Sequence, residues 1–156
     1  MTDTTDPTTP QVVNRDPATT AAVRAHERMD NLAQLYDRAF PALAEVLGQQ
    51  GLEHGAPFGM YGPVDEGVVD IEIGFTTSAP VEPSGDVVPG QLPGGEYATM
   101  THVGPYDGLG ASWEALGQWI KEQGRTSGQT VFEVYTDDPV GSDPAALRTD
   151  LFWSLV

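Results

Sequence analysis

One carboxylate stands out among the residues able to do chemistry. In the stretch VFEVYTDDP, from Val131 to Pro139, Glu133 interrupts an otherwise apolar and β-favouring run. Strand side chains alternate between faces, so Glu133 shares a face with Val131 and Tyr135, while Phe132 and Val134 share the other. Two readings fit this pattern. In the first, that face is the solvent side and Glu133 is an ordinary exposed acid. In the second, the face lines a concave site where aromatic walls and one carboxylate receive an amphipathic cation. Enclosing an ionised carboxylate is costly unless it is paired, so either its pKa rises or a cation supplies the missing charge. Each desolvated aromatic face adds cation–π attraction of about 0.5–2 kcal/mol. The aromatic residues available to such a site are Tyr61, Tyr97, Trp113, Tyr135 and Trp153. Phe58 and Met60 read equally as core or as pocket wall. Trp113 and Trp153 also read as core residues, the indole of Trp153 then requiring a hydrogen-bond partner.

Other chemistry finds little support. His26, His54 and His102 have no ligand-like spacing, and the chain has no cysteine, so no metal site and no thiol chemistry are expected. GLGASW, from Gly108 to Trp113, lacks the third glycine of a dinucleotide loop and the Lys-Ser/Thr pair of a phosphate loop, so no cofactor is expected. Ser112 has no glycine two residues on and is not a nucleophile elbow. The acids of DDPVGSD do not follow the calcium-loop pattern and read as turn formers.

The elements that must position Glu133 fit within one domain, since 156 residues match the usual size of a single fold. With 39% hydrophobic and 19% charged residues, the composition is that of a soluble globular chain. No apolar run approaches the roughly 20 residues of a membrane span. The polar start MTDTTDPTTP lacks the basic and apolar regions of a secretory signal, so a cytoplasmic location is expected, with residues 1–10 as a disordered tail. A formal net charge of -16 repels a phosphate backbone, so no direct nucleic-acid binding is expected. The acidic excess reads as solvated surface, or as a face that attracts cationic ligands or a basic protein.

Periodicity places the elements. Gln11 to Glu27 reads as a strand pair broken at Pro17. Asp30 is positioned to cap a helix to Gln50, with Leu32, Leu35, Ala39, Ala42 and Val46 on one stripe, Leu43 and Leu47 widening it, and Gly48 and Gly51 at its end. PFGMYG and VVDIEIGF follow as strands, the second alternating Val69, Ile71, Ile73 and Phe75 against polar positions and Gly74. A short extended run near Val87 and Val88 precedes the strand EYATMTHV. Asp107 is positioned to cap a second helix, Gly108 to Gln123, with Leu109, Trp113, Leu116 and Ile120 on one face and Gly124 after it. VFEVYTD and LRTDLFWSL complete the chain as strands.

The order strand, helix, strand, strand thus occurs twice, over about 18–77 and 87–156. AAVRAHERMDNL overlays ATMTHVGPYDGL at an offset of 77, pairing Asp30 with Asp107 and Leu32 with Leu109. PFGMYG overlays VFEVYT, pairing Phe58 with Phe132 and Tyr61 with Tyr135, and VDIEIGF overlays TDLFWSL at an offset of 80. Glu133 then falls opposite Gly59. One copy carries a carboxylate where the other carries none, so the strand does not itself require the charge.

HVGPYDGL, the strand VFEVYT and the FW of LRTDLFWSL resemble the second half of a GyrI-like small-molecule-binding domain, and the likeness extends over residues 11–156. The resemblance implies an α+β fold of tandem strand-helix-strand-strand (SHS2-type) units, forming a curved antiparallel sheet with two helices and a ligand groove between the repeats. It implies that Glu133 contacts cationic, lipophilic ligands, in a stand-alone counterpart of the effector-binding domains of AraC-type and MerR-type regulators. Two alternatives follow from the same likeness. One is a hydrolase that opens strained cyclopropane rings of alkylating compounds, with Glu133 as its catalytic group. The other is a protein that meets gyrase or a separate regulator. The sequence departs from the regulators in lacking a DNA-binding domain, and from many family members in carrying Ser154 where a proline follows the tryptophan.

Overall fold

The computed structural model describes residues 8–136 and 143–156. Most of the expected N-terminal tail, residues 1–7, and most of the DDPVGSD turn, residues 137–142, lie outside them. Asp143, at the end of that turn, accepts from Ala145 N at 3.0 Å, as a turn former does.

The fold is α+β, built of antiparallel strands and two helices in two compact units. The N-terminal unit, Asp16–Gly94, contains β2 (Ala18–Arg28), α1 (Leu32–Gln50), β3 (His54–Asp65), β4 (Val68–Thr77) and β5 (Val87–Leu92). Its strands pair in the order β5-β2-β4-β3. The C-terminal unit joins β1 (Gln11–Arg15) to β6 (Gly95–Val103), α2 (Leu109–Glu122), β7 (Ser127–Tyr135) and β8 (Arg148–Leu155), paired in the order β1-β6-β8-β7. No helix among the described residues is long and apolar enough to cross a membrane.

β1 and β2 form as strands but not as the expected pair. β1 pairs with β6, and β2 with β4 and β5. A tight hairpin needs positive φ in its turn, whereas Pro17 in the two-residue link is locked near a φ of about −65°. The chain therefore runs on. Each unit consequently takes as its outer strand the one that leads into the other unit. Ala21 faces Pro89 and Ala98 faces Val12, so the offset of 77 holds for β1 against β5 (89 − 12) as it does for Ala21 against Ala98 (98 − 21).

One offset changes. Ala21 faces Phe75 and Ala98 faces Trp153, and Phe58 faces Gly74 where Phe132 faces Phe152. β4 therefore matches β8 at 78 (153 − 75), not 80. A slide of two residues leaves every side chain on the same face, so apolar alternation cannot detect it.

Neither aspartate caps its helix. Each helix is entered through a 3-10 turn, Met29–Asn31 or Tyr106–Gly108, and neither entry shows a side-chain capping bond. Leu32 N–H donates to Met29 O and Leu109 N–H to Tyr106 O, so turn carbonyls satisfy helix-start donors that a side chain would otherwise serve. Gly51 (φ 66) and Gly124 (φ 71) adopt the left-handed conformation that closes a helix, as expected, whereas Gly48 lies inside α1.

Each helix lies on one face of its own unit's sheet. α1 packs Leu35, Ala39, Leu43 and Leu47 on Ala21, Ile71, Ile73 and Phe75. α2 packs Leu116 and Ile120 on Ala98, Met100 and Leu151, with Leu109, Trp113 and Trp153 at the margin.

Candidate functional site

Glu133 does not lie on a solvent face. Facing residues on paired strands share a side, and Glu133 faces Leu151, which faces Met100, both in the cluster beneath α2. The residue is 3% exposed, which removes the reading of an ordinary surface acid. Trp113 Nε1, reaching down from α2, donates to Glu133 Oε2 at 2.8 Å, and Tyr135 OH donates to Oε1 at 2.9 Å. Hydrogen bonds to a carboxylate are about twice as strong as neutral ones, and these two donors also fix its orientation. The helix spacing that puts Trp113 on the stripe of Leu109, Leu116 and Ile120 is what brings its indole over β7.

Trp153 stands beside this cluster. It faces Val131 on β7, meets Trp113 edge to face with centroids 5.9 Å apart, and donates from Nε1 to Gly128 O at 3.2 Å. The partner its indole requires is thus a backbone carbonyl. Tyr106, in the turn before α2, meets Tyr135 edge to face at 6.1 Å. The sequence reading did not single it out, although the offset of 77 sets it against Met29, another place where only the second copy is aromatic.

Glu133, Tyr135, Trp113 and Trp153 therefore come together. Tyr97 does not join them. It projects from the reverse face of β6, where it meets Phe132 and Phe152 edge on, and the Arg15 guanidinium lies 4.5 Å from the Phe152 ring centroid. Burial pushes the Tyr97 hydroxyl above its usual value near 10, with Arg15 opposing the shift. Tyr61, Phe58 and Met60 belong to the N-terminal unit. Tyr61 faces Ile71 on the α1 side and its hydroxyl lies 2.7 Å from that of Tyr36, while Phe58 and Met60 point from the reverse face of β3.

The polar character of the C-terminal unit extends beyond Glu133. His102 Nε2 lies 2.9 Å from Pro105 O and Nδ1 lies 2.7 Å from Ser112 Oγ. The carbonyl can only accept, so Nε2 carries a proton, and in the neutral ring Nδ1 accepts from the serine hydroxyl. Thr149, fully buried, faces both His102 and Tyr135. Its hydroxyl has no partner among the described residues. The N-terminal unit holds Ala25, Leu35 and Ile71 where the C-terminal unit holds His102, Ser112 and Thr149, and Gly59 where it holds Glu133. Hydrophobic periodicity missed the layer because its members interrupt the stripe. Copy-by-copy comparison was the signal that could have found it. No cluster of metal-ligating residues occurs among the described residues.

The sequence model of the GyrI-like small molecule binding domain matches residues 9–156. No curated protein sequence matches the chain. Among solved structures, the EcmrR C-terminal domain superposes with a TM-score of 0.83 at 18% identity, covering 95% of this chain and 97% of that one. In the EcmrR–DNA complex the TM-score is again 0.83 at 19% identity, over 94% of this chain but only 57% of that longer one. SAV2435 bound to tetraphenylphosphonium gives 0.68 at 16% identity, over 95% and 94%. A hydrolase from Listeria innocua gives 0.69 at 14% identity, over 98% and 94%. At these identities the superpositions speak for the fold, and the sequence match speaks for the family. The chain belongs to the GyrI-like small molecule binding domain family.

Proposed function

We propose that the chain binds amphipathic small molecules of cationic, aromatic character, with Glu133 as the central polar contact. The observation that carries this reading is the enclosure of Glu133 at 3% exposure, with Trp113 and Tyr135 on its two oxygens and Trp153 alongside. Both named donors are neutral, and they orient the carboxylate. A ligand cation is attracted to the carboxylate, and the surrounding rings add cation–π attraction. The net charge of -16 draws cations toward the molecule.

Trp113 is the group that yields when such a ligand arrives. It is only half-buried on α2, whereas Leu116 and Ile120 further along are buried and anchor the helix. Tetraphenylphosphonium is a suitable probe, since SAV2435 has been solved with it. Glu133→Gln removes the charge at nearly constant shape and is expected to weaken this cation by about tenfold or more, read by isothermal titration, with an unchanged circular dichroism spectrum. Equal affinity in the variant rules out the assignment.

A second reading, hydrolysis of strained cyclopropane-containing alkylating compounds, draws support from the same Glu133–Tyr135 pair. A carboxylate held beside a phenol can orient and deprotonate water. Mass spectrometry after incubation with such a compound distinguishes the two, since a water-added product forms only if there is turnover.

A further inference from the structure

A groove runs along α2 in the C-terminal unit, with a volume of about 800 Å³, and shares Trp113 and Trp153 with the Glu133 cluster. It is lined by Trp113, Gly117, Ile120, Lys121, Arg125 and Trp153 among others, and Glu133 does not line it. Its volume falls within the range of roughly 300–1,000 Å³ typical of small-molecule sites.

The N-terminal unit differs at the matching positions. The offset of 77 sets Phe40 against Gly117, and the register offset of 78 sets Phe75 against Trp153. Phe40 lays its ring against Phe75, with centroids 5.5 Å apart, and so covers that ring from the helix side. In the C-terminal unit Gly117 lets the Trp153 ring close up against α2, since a Cβ there would sit only 3.1 Å from Trp153 Cζ3, and it adds no side chain to the groove. Gly117 and Trp153 both line the groove, and the matching helix position in the other unit carries the Phe40 ring.

Its charge is opposite to that of the Glu133 site. The chain has 7 basic residues against 23 acidic ones, and Lys121, its single lysine, and Arg125 both line this groove. Arg125 is held by Glu96 at 2.8 Å, while Lys121 forms no ion pair among the described residues. The closing helix carbonyls are taken by backbone, Trp119 O by Gln123 N, Lys121 O by Gly124 N and Ile120 O by Arg125 N, so neither cationic side chain is spent on them. Glu114 also lines the groove, but seven residues before Lys121, which is about 10 Å along a helix.

We propose that this groove is a second ligand site, which takes a flat aromatic anion with its rings against Trp113 and Trp153 and its acidic group at Lys121 and Arg125. The proposal goes beyond the Glu133 reading and does not depend on it. The probe is 1-anilinonaphthalene-8-sulfonate, compared with 1-anilinonaphthalene, which has the same rings without the sulfonate. The sulfonate is expected to bind at one saturable site per chain, about tenfold tighter than the neutral compound. Lys121→Glu should weaken the sulfonate by about tenfold and leave the neutral compound unchanged. Gly117→Phe, which copies the Phe40 ring, should abolish binding of both. Lys121→Glu should not weaken tetraphenylphosphonium, which separates this site from the cation site. If Gly117→Phe does not fold because Trp153 cannot yield, the exposed Lys121→Glu variant decides alone. Sulfonate affinity that is insensitive to Lys121→Glu, or neutral-compound affinity equal to it, overturns the proposal.

Discussion

Replacing Trp113 with Phe tests whether the indole-to-carboxylate bond organises the site. The substitution keeps an aromatic ring on α2 but removes the N–H that donates to Glu133 Oε2 at 2.8 Å. Hydrogen bonds to charged groups contribute about 1.5–3 kcal/mol. Trimming the indole also weakens its edge-to-face contact with Trp153, worth about 0.5–1.5 kcal/mol. The single variant should therefore lose about 2–4 kcal/mol of stability in urea unfolding. Packing and hydrogen bonding separate in a double-mutant cycle with Glu133→Leu, which removes the acceptor while filling similar volume. The packing loss cancels around the cycle, so the remaining coupling should be about 1.5–3 kcal/mol. A coupling below about 0.5 kcal/mol would mean that the two side chains act independently, and would refute the argument.

Other outcomes follow from the same geometry. His102→Ala leaves the Ser112 hydroxyl and Pro105 carbonyl without their partner and should cost about 1–3 kcal/mol in urea unfolding. The double change His102→Ala with Ser112→Leu, which copies Ala25 and Leu35, should recover most of that loss. The Tyr97 hydroxyl ionises above its usual value near 10 because it is buried, so its contribution to stability is complete below pH 10 and is lost as pH rises through the folded value. Tyr97→Phe should accordingly reduce the steepness of alkaline unfolding followed by circular dichroism. Arg15→Gln removes the guanidinium over Phe152 and Phe132 and should lower stability by about 0.5–2 kcal/mol in the same urea assay.

The fold was legible in the sequence wherever periodicity and duplication spoke together. Val69, Ile71, Ile73 and Phe75 are all buried, and Leu116 and Ile120 face the sheet as their spacing requires. What eluded the reading was information that a face pattern does not carry. The two-residue slide of β8 preserves every face, and the partner of β1 depends on where the chain goes after Pro17 rather than on any residue within β1. Asp30 and Asp107 have the composition of helix caps, but the preceding 3-10 turns supply the carbonyls instead. At the site, Glu133 was legible because Gly59 stands in its place in the other copy. His102, Ser112 and Thr149 could have been found by the same comparison. Their hydrogen bonding could not, because it depends on the Pro105 carbonyl turning back toward the ring.

The central claim is that the enclosed carboxylate on β7 receives a ligand cation. A crystal structure of the protein with tetraphenylphosphonium tests it most directly. The account predicts the phosphonium within about 6 Å of an aromatic ring of the site, its charge facing Glu133, and the Trp113 indole moved off Oε2. A phosphonium bound elsewhere, with Trp113 Nε1 still donating to Glu133, would contradict it.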